Sequence, residues 1–147
     1  MPQVAERAGV GKATVYRSYP TKEDLISAVA QHQFEKLERR TAAARAEPDP
    51  HRALSGYITE LFGYLAEDRI LADALSDPVG ISAVRIMDQL TALVEAARVS
   101  GRIRQDAGAM DIRVMLCGAC LQLIALDERD PQVWRRYGRL VLNSLRP

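Results

Sequence analysis

The segment Gln3-Val-Ala-Glu-Arg-Ala-Gly-Val-Gly-Lys-Ala-Thr-Val-Tyr-Arg-Ser-Tyr-Pro-Thr-Lys-Glu-Asp-Leu25 has the spacing of two short helices joined by a tight turn. Ala5, Gly9 and Val15 occupy the three positions such a pair depends on. A small side chain at Ala5 lets the second helix cross close by. Gly9 supplies the left-handed backbone conformation that ends the first helix and redirects the chain. Val15 then points from the second helix back into the space between them. Lys12, Thr14, Tyr16 and Arg17 are left on or near the outer surface of that helix, where base edges and phosphates can be reached. The segment reads as a helix-turn-helix DNA-binding element.

Charge is distributed to match. The 147-residue chain has a net charge of only +1, but residues 1–22 hold Arg7, Lys12, Arg17 and Lys22 against Glu6 alone, a net +3. The remaining 16 basic and 18 acidic residues leave −2 elsewhere. The cations are concentrated where a DNA contact needs them. With 48% apolar residues the chain can pack a core of one or two small domains. Its longest nearly unbroken apolar stretch, Val114 to Leu126 with Gln122 inside it, is shorter than the ~20 residues of a bilayer span. No signal-peptide pattern is present. Cys117 and Cys120 both fall inside that apolar stretch, so no disulfide framework is indicated. The expectation is a cytoplasmic protein with no membrane partner.

Helical periodicity recurs along the whole chain, and no strand-like alternation is sustained. Thr21 is a good N-cap, with Glu23 and Asp24 in the first turn, for a helix carrying Leu25, Ile26, Val29, Ala30 and Leu37 to about Arg40 or Ala46. Glu47-Pro-Asp-Pro50 stops it and starts the next, where Leu54, Tyr57, Ile58, Leu61, Phe62 and Leu65 form an i, i+3, i+4, i+7 stripe. A short helix around Ile70–Leu75 ends at Ser76-Asp-Pro-Val-Gly80. Longer helices are expected from Ile81 to Val99, Met110 to Leu126 and Pro131 to Leu145, with a polar loop over Arg102–Gly108. The fold class is all-α. A head over residues 1–45 shares its last helix with a helical-bundle body over 46–147.

The run Val4 to Leu25 resembles the signature of the tetracycline-repressor (TetR) family of bacterial transcriptional regulators. Thr14-Val-Tyr-Arg17 followed by Tyr19-Pro-Thr-Lys-Glu-Asp-Leu25 carries the likeness. It joins the recognition helix to the next helix through an aromatic-proline turn that generic helix-turn-helix proteins lack. The rest of the chain agrees with the family in architecture. The resemblance implies that Tyr16 places its hydroxyl on one phosphate and Lys22 pairs with another, helped by the helix N-terminus at Thr21. It assigns Lys12 and Thr14 to a base or nearby phosphate, Ala13 to a thymine methyl and Arg17 to either. In that family a complete helix precedes the segment that begins here at Gln3, so the resemblance also implies an incomplete head. A misassigned start, a truncation and a natural short form all remain open. Gly11 stands where the family often has serine, and glycine is a tolerable N-cap.

The helix from Met110 to Leu126 is apolar nearly all round and must be buried on most of its faces. The last helix sets Val133, Trp134, Tyr137, Leu140, Val141 and Leu145 against Arg135, Arg136, Arg139 and Arg146. One small body covers both with difficulty, and Gly118 and Ala119 permit close helix approach. The expectation is a two-fold dimer through these helices, using Leu116, Cys120, Leu123, Trp134, Tyr137 and Val141. The alternative is that they fill the core of a single chain. The resemblance also implies a dimer, because two heads read two half-sites of a palindromic operator. Tyr57, Leu61, Tyr64, Met87, Leu90 and Met115 are candidates to line an effector cavity, the alternative being plain core. A cavity is implied chiefly by the family, whose members mostly release DNA when a small molecule binds. The expected effector is apolar or amphipathic.

Cys117-Gly-Ala-Cys120 has the spacing of a redox or metal pair, but active dithiols sit at helix N-termini, not in mid-helix within an apolar run. His32 and His51 are the only histidines, too few for a four-ligand zinc site or for most acid–base schemes. Nothing resembles a catalytic constellation, a metal site or a cofactor loop. The reading is a ligand-responsive repressor and not an enzyme. The rivals are a truncated dimerising remnant with weak DNA binding and a thiol redox protein using Cys117 and Cys120.

Overall fold

A computed structural model describes residues 1–74 and 81–147, with side chains in the second stretch from residue 84 onward. The described residues form helices α1 (Pro2–Ala8), α2 (Lys12–Ser18), α3 (Lys22–Arg45), α4 (Pro50–Glu67), α5 (Arg69–Ala74), α6 (Ile81–Val99), α7 (Ala109–Ala125) and α8 (Pro131–Ser144), and no strand. The chain is all-α, as its periodicity predicts. The expected turn over Ser76–Gly80 and the end of the short helix at Leu75 lie outside the described residues.

Local chemistry sets the helix starts. Asp49 accepts a hydrogen bond from Arg52 N at 2.9 Å with Pro50 at the first helical position, and Asp130 does the same for Gln132 N at 2.8 Å ahead of Pro131. The carboxylate satisfies a free N–H, and the proline occupies the site where a missing N–H costs nothing.

Helix α4 is the centre of the body. Leu54, Tyr57, Ile58, Leu61, Phe62 and Leu65 are all buried, as their spacing predicts, and Ala53, Gly63 and Tyr64 are buried with them. Helices α3, α6 and α8 surround it. Helix α8 comes closest: a Cβ added to Gly138 would stand 3.1 Å from Ile58 Cγ2 and 3.3 Å from Phe62. Trp134 lies edge-on to Phe62, with ring centroids 6.1 Å apart, and its indole N–H donates to Glu128 O at 2.9 Å. Helix α3 delivers Phe34 and Leu37, α6 delivers Ile86, Leu90, Val94 and Ala97, and α7 delivers Ile112, Leu116, Cys120 and Leu123. The loop between α6 and α7 is not wholly polar in role. Ile103 and Ala107 plug into the core, and Arg104 N donates to Leu145 O at 2.8 Å.

The contact at Gly138 leaves no room for a branched side chain. Gly138→Val should lower stability by roughly 1–3 kcal/mol through overpacking against Ile58 and Phe62, read from the midpoint of a urea melt.

Candidate nucleic-acid interface

Helices α1 and α2 make the helix pair that the opening segment predicts. Gly9 adopts φ 65°, and the N–H groups of Gly9 and Val10 return to Glu6 O and Ala5 O, closing α1. Ala5 and Val15 are the buried side chains of the pair. With Val15 turned inward, Lys12, Ala13, Thr14, Tyr16 and Arg17 are all exposed, Tyr16 at 47%. Gly11 caps α2 in extended conformation without a side-chain bond.

Lys22 opens α3, whose start is fixed by a reciprocal box. Thr21 N donates to Asp24 Oδ2 at 2.9 Å, Asp24 N donates to Thr21 Oγ1 at 3.0 Å, and the Thr21 hydroxyl donates to the same carboxylate at 2.7 Å. Thr21 is legible in the sequence as a cap, whereas the bond its own N–H donates to the Asp24 carboxylate is less plain. Thr-x-x-Asp is a variant of the capping signature that could have revealed it. These bonds from Thr21 hold the Asp24 carboxyl below the usual aspartate range. The same helix that starts beside α2 buries Ala30, Phe34, Leu37 and Thr41 in the body.

The body residues separate into groups that sequence spacing did not distinguish. The six candidate cavity residues have different neighbours among the described residues. Tyr57 and Leu61 are core, Tyr57 donating its hydroxyl to Gln89 Oε1 at 2.8 Å. Burial pushes the Tyr57 phenol well above its ordinary range. Tyr64 turns to α3 and donates to Gln33 Oε1 at 3.0 Å, while Met115 lies 3.6 Å from Ser144 Oγ on α8. Met87 and Leu90 do border a void, between α6 and α7, shared with Val94, Ile112 and Leu116. At about 10 Å³ it is at the lower limit for one water.

The expected dimer residues divide likewise. Leu116, Cys120, Leu123 and Trp134 are buried within the single chain, because α7 and α8 turn them onto α4, α6 and each other. Little of their surface is left exposed. The apolar residues that face outward on α7 are Val114, at 62% exposure, and Leu121, with Met110 before them and Gly118 between. A Cβ added to Gly118 would meet nothing within 4 Å. On α8, Tyr137 and Leu140 are exposed and Val141 is half-buried. A hydrophobic sum over α7 could not reveal this face, since an all-apolar helix has no polar side to mark it.

Cys117 is half-buried with its sulfur 4.0 Å from Met87 Sδ, and Cys120 is buried. Burial pushes both thiols up, the reverse of the setting that makes a dithiol reactive. Among the described residues, no helix is long and apolar enough to cross a membrane, and no three His, Cys, Asp or Glu side chains are grouped to hold a metal.

Similarity to known proteins follows the same division. Residues 49–147 match the family described as transcriptional regulator SbtR-like, C-terminal domain, and residues 1–29 match that of bacterial regulatory proteins, tetR family. The TetR transcriptional regulator SCO0520 from Streptomyces coelicolor is 34% identical, with 99% of this chain and 86% of that one aligned at a TM-score of 0.68. PfmR from Thermus thermophilus, 17% identical over 95% of this chain and 85% of its own, shares the fold with a TM-score of 0.73. The HTH-type transcriptional repressor KstR of Mycolicibacterium smegmatis is 31% identical over 77 residues, which are 52% of this chain and 38% of that protein's length.

The capping box should respond to pH with a definite sign. Asp24 is depressed in the folded state, so its contribution is present above the unfolded aspartate value near ~3.9 and is lost as pH falls through the lower folded value. Protection of the Asp24 and Leu25 amides, measured against the intrinsic exchange rate at each pH, should fall in that acid window, and Asp24→Asn should lower it at neutral pH.

Proposed function

The chain belongs to the TetR family of bacterial transcriptional regulators, and from that premise we propose that it is a homodimeric repressor released from operator DNA by a small apolar or amphipathic molecule. The observation that carries the DNA reading is the outward row of Lys12, Thr14, Tyr16 and Arg17, with Val15 turned in and Lys22 beside it at a fixed helix start. Tyr16 and Lys22 hold phosphates, while Lys12, Ala13, Thr14 and Arg17 are within reach of base edges. Residues 1–45 read DNA, and residues 46–147 pair the subunits and take the effector. That KstR is named a repressor supports the sign of regulation.

Dimerisation uses the outward stripe of α7, Val114, Gly118, Leu121 and Ala125, together with Tyr137 and Leu140 of α8. The α7 positions recur at i, i+4, i+7 and i+11, a single helical face. Gly118 lets the partner helix approach. The two-fold axis sets the two recognition helices about one DNA turn apart.

The effector enters between α6 and α7, where Met87, Leu90, Val94, Ile112 and Leu116 already border a void. Helix α6 is linked to α3 through polar groups. Gln89 donates to Glu38 Oε1 at 3.1 Å, and Arg85 donates to both Glu38 oxygens at 3.1 and 3.2 Å while lying 4.4 Å from the Phe34 ring centroid. Displacing α6 pulls on α3 and alters the spacing of the heads.

Binding to a selected palindromic site should weaken steeply with salt. Tyr16→Phe and Lys22→Ala should weaken binding to every sequence alike, whereas changes at Lys12 or Thr14 should alter which base is preferred. Equal affinity for selected and scrambled DNA with no salt slope would refute the DNA reading.

The dimer is tested at Gly118. Gly118→Phe should yield a folded monomer by sedimentation, since the single chain has open space there and loses a helix-weakening glycine. A variant that remains dimeric rules this face out.

A further inference from the structure

We propose that the groove between α4 and α8 is a binding site for a phosphate group, distinct from both the DNA-contacting head and the effector void. The groove encloses about 230 Å³ and is lined by His51, Ser55 and Thr59 of α4 and by Arg139, Asn143 and Arg146 at and beyond the end of α8, with Leu142 at its floor. Two antiparallel helices create it. Residues 51, 55 and 59 recur once per turn along one side of α4, and small side chains at 55 and 59 keep the cleft open.

The donor set is one-sided. Among the described residues, no carboxylate lies within 4.0 Å of either Arg139 or Arg146, whereas Arg135, one turn earlier on the same helix, reaches Glu67. The acids near by on α4 are turned elsewhere: Asp49 to Arg52 N and Arg102, and Glu60 to Arg40. The Thr59 hydroxyl donates to Ser55 O at 2.8 Å, but the side chains of His51, Ser55, Asn143, Arg139 and Arg146 make no hydrogen bond among the described residues. Five donor-bearing side chains thus line one cleft that contains no carboxylate. Guanidinium forks match the oxygens of a phosphate, and the hydroxyl, amide and imidazole N–H supply the remaining bonds. A volume under the ~300 Å³ of drug-sized pockets suits inorganic phosphate or the head of a phosphate monoester.

The groove lies beside, and not on, the Tyr137 side of α8 used in the dimer proposed above. Residue 139 follows Tyr137 by two positions, about 200° round the helix, and precedes Leu140 by one, about 100°, so the arginine side of α8 is opposite Tyr137 and adjoins Leu140. A phosphate here would bridge α4 to α8 at the end of the pair remote from the Arg135–Glu67 contact.

The test is calorimetric titration of the full chain, and thermal melting, at constant ionic strength, with sodium phosphate in one arm and phenyl phosphate in the other, each against chloride. Saturable binding is expected in at least one arm, and its ligand identifies the source: free phosphate if the two bind alike, an esterified head group if the monoester binds more tightly. Arg139→Gln/Arg146→Gln should melt at the wild-type temperature in chloride, bind at least about tenfold more weakly, and lose the phosphate-dependent rise in melting temperature. Absence of saturable binding in both arms, or a double variant that binds as the wild type does and so places the anion elsewhere, such as on the head, overturns the assignment.

Discussion

Helix α4 has to be covered on nearly every side, and the arrangement of the rest of the body follows from that. Its stripe from Ala53 through Leu65 is almost continuous, so one neighbour cannot bury it. Helices α3, α6 and α8 close around it, and the fit is tightest where α8 presents Gly138 instead of a side chain. The cost of leaving any of these residues in water, about 1.5–3 kcal/mol for each large apolar side chain, exceeds what surface ion pairs can contribute. Arg40 with Glu60 and Glu67 therefore adjusts the orientation of helices that apolar burial has already placed.

Covering α4 leaves α7 with a divided role. Ile112, Leu116, Cys120 and Leu123 are drawn inward, and the opposite side of an almost wholly apolar helix remains in solvent. A water-exposed row of Val114 and Leu121, with Met110 ahead of it, is costly for a solitary chain, which is why the proposed dimer is placed on this face.

Sequence patterns revealed elements better than partners. Gly9, Val15, Thr21, the Pro-Asp-Pro break and the α4 stripe are local features, each decided by one turn of chain, and all are found where spacing predicts them. The exposed DNA-contact candidates were legible for the same reason, since fixing Val15 inward fixes its neighbours outward. Which face of α7 meets the core, and that Tyr57 is fully buried with its hydroxyl on Gln89, depends on helices distant in sequence. Periodicity carries no such information when Leu, Met, Cys and Val surround the whole helix. The polar links from Glu38 to Arg85 and Gln89 were invisible for a related reason: their partners are about fifty residues apart.

The length of α3 makes those links consequential. Its 24 residues extend about 36 Å, with the capping box at one end and Phe34, Leu37 and Thr41 held in the body along the other. A rigid rod pivoting at its body end amplifies small displacements: a tilt of about 5° moves the far end by about 3 Å. Glu38 lies on the body portion of this rod, close to the pivot, and its partners sit on the helix that borders the α6–α7 void. In the proposed release mechanism, a shift of α6 too small to disturb the apolar core would be large enough, at Lys22 and the recognition helix beside it, to move side chains off the phosphates assigned to them.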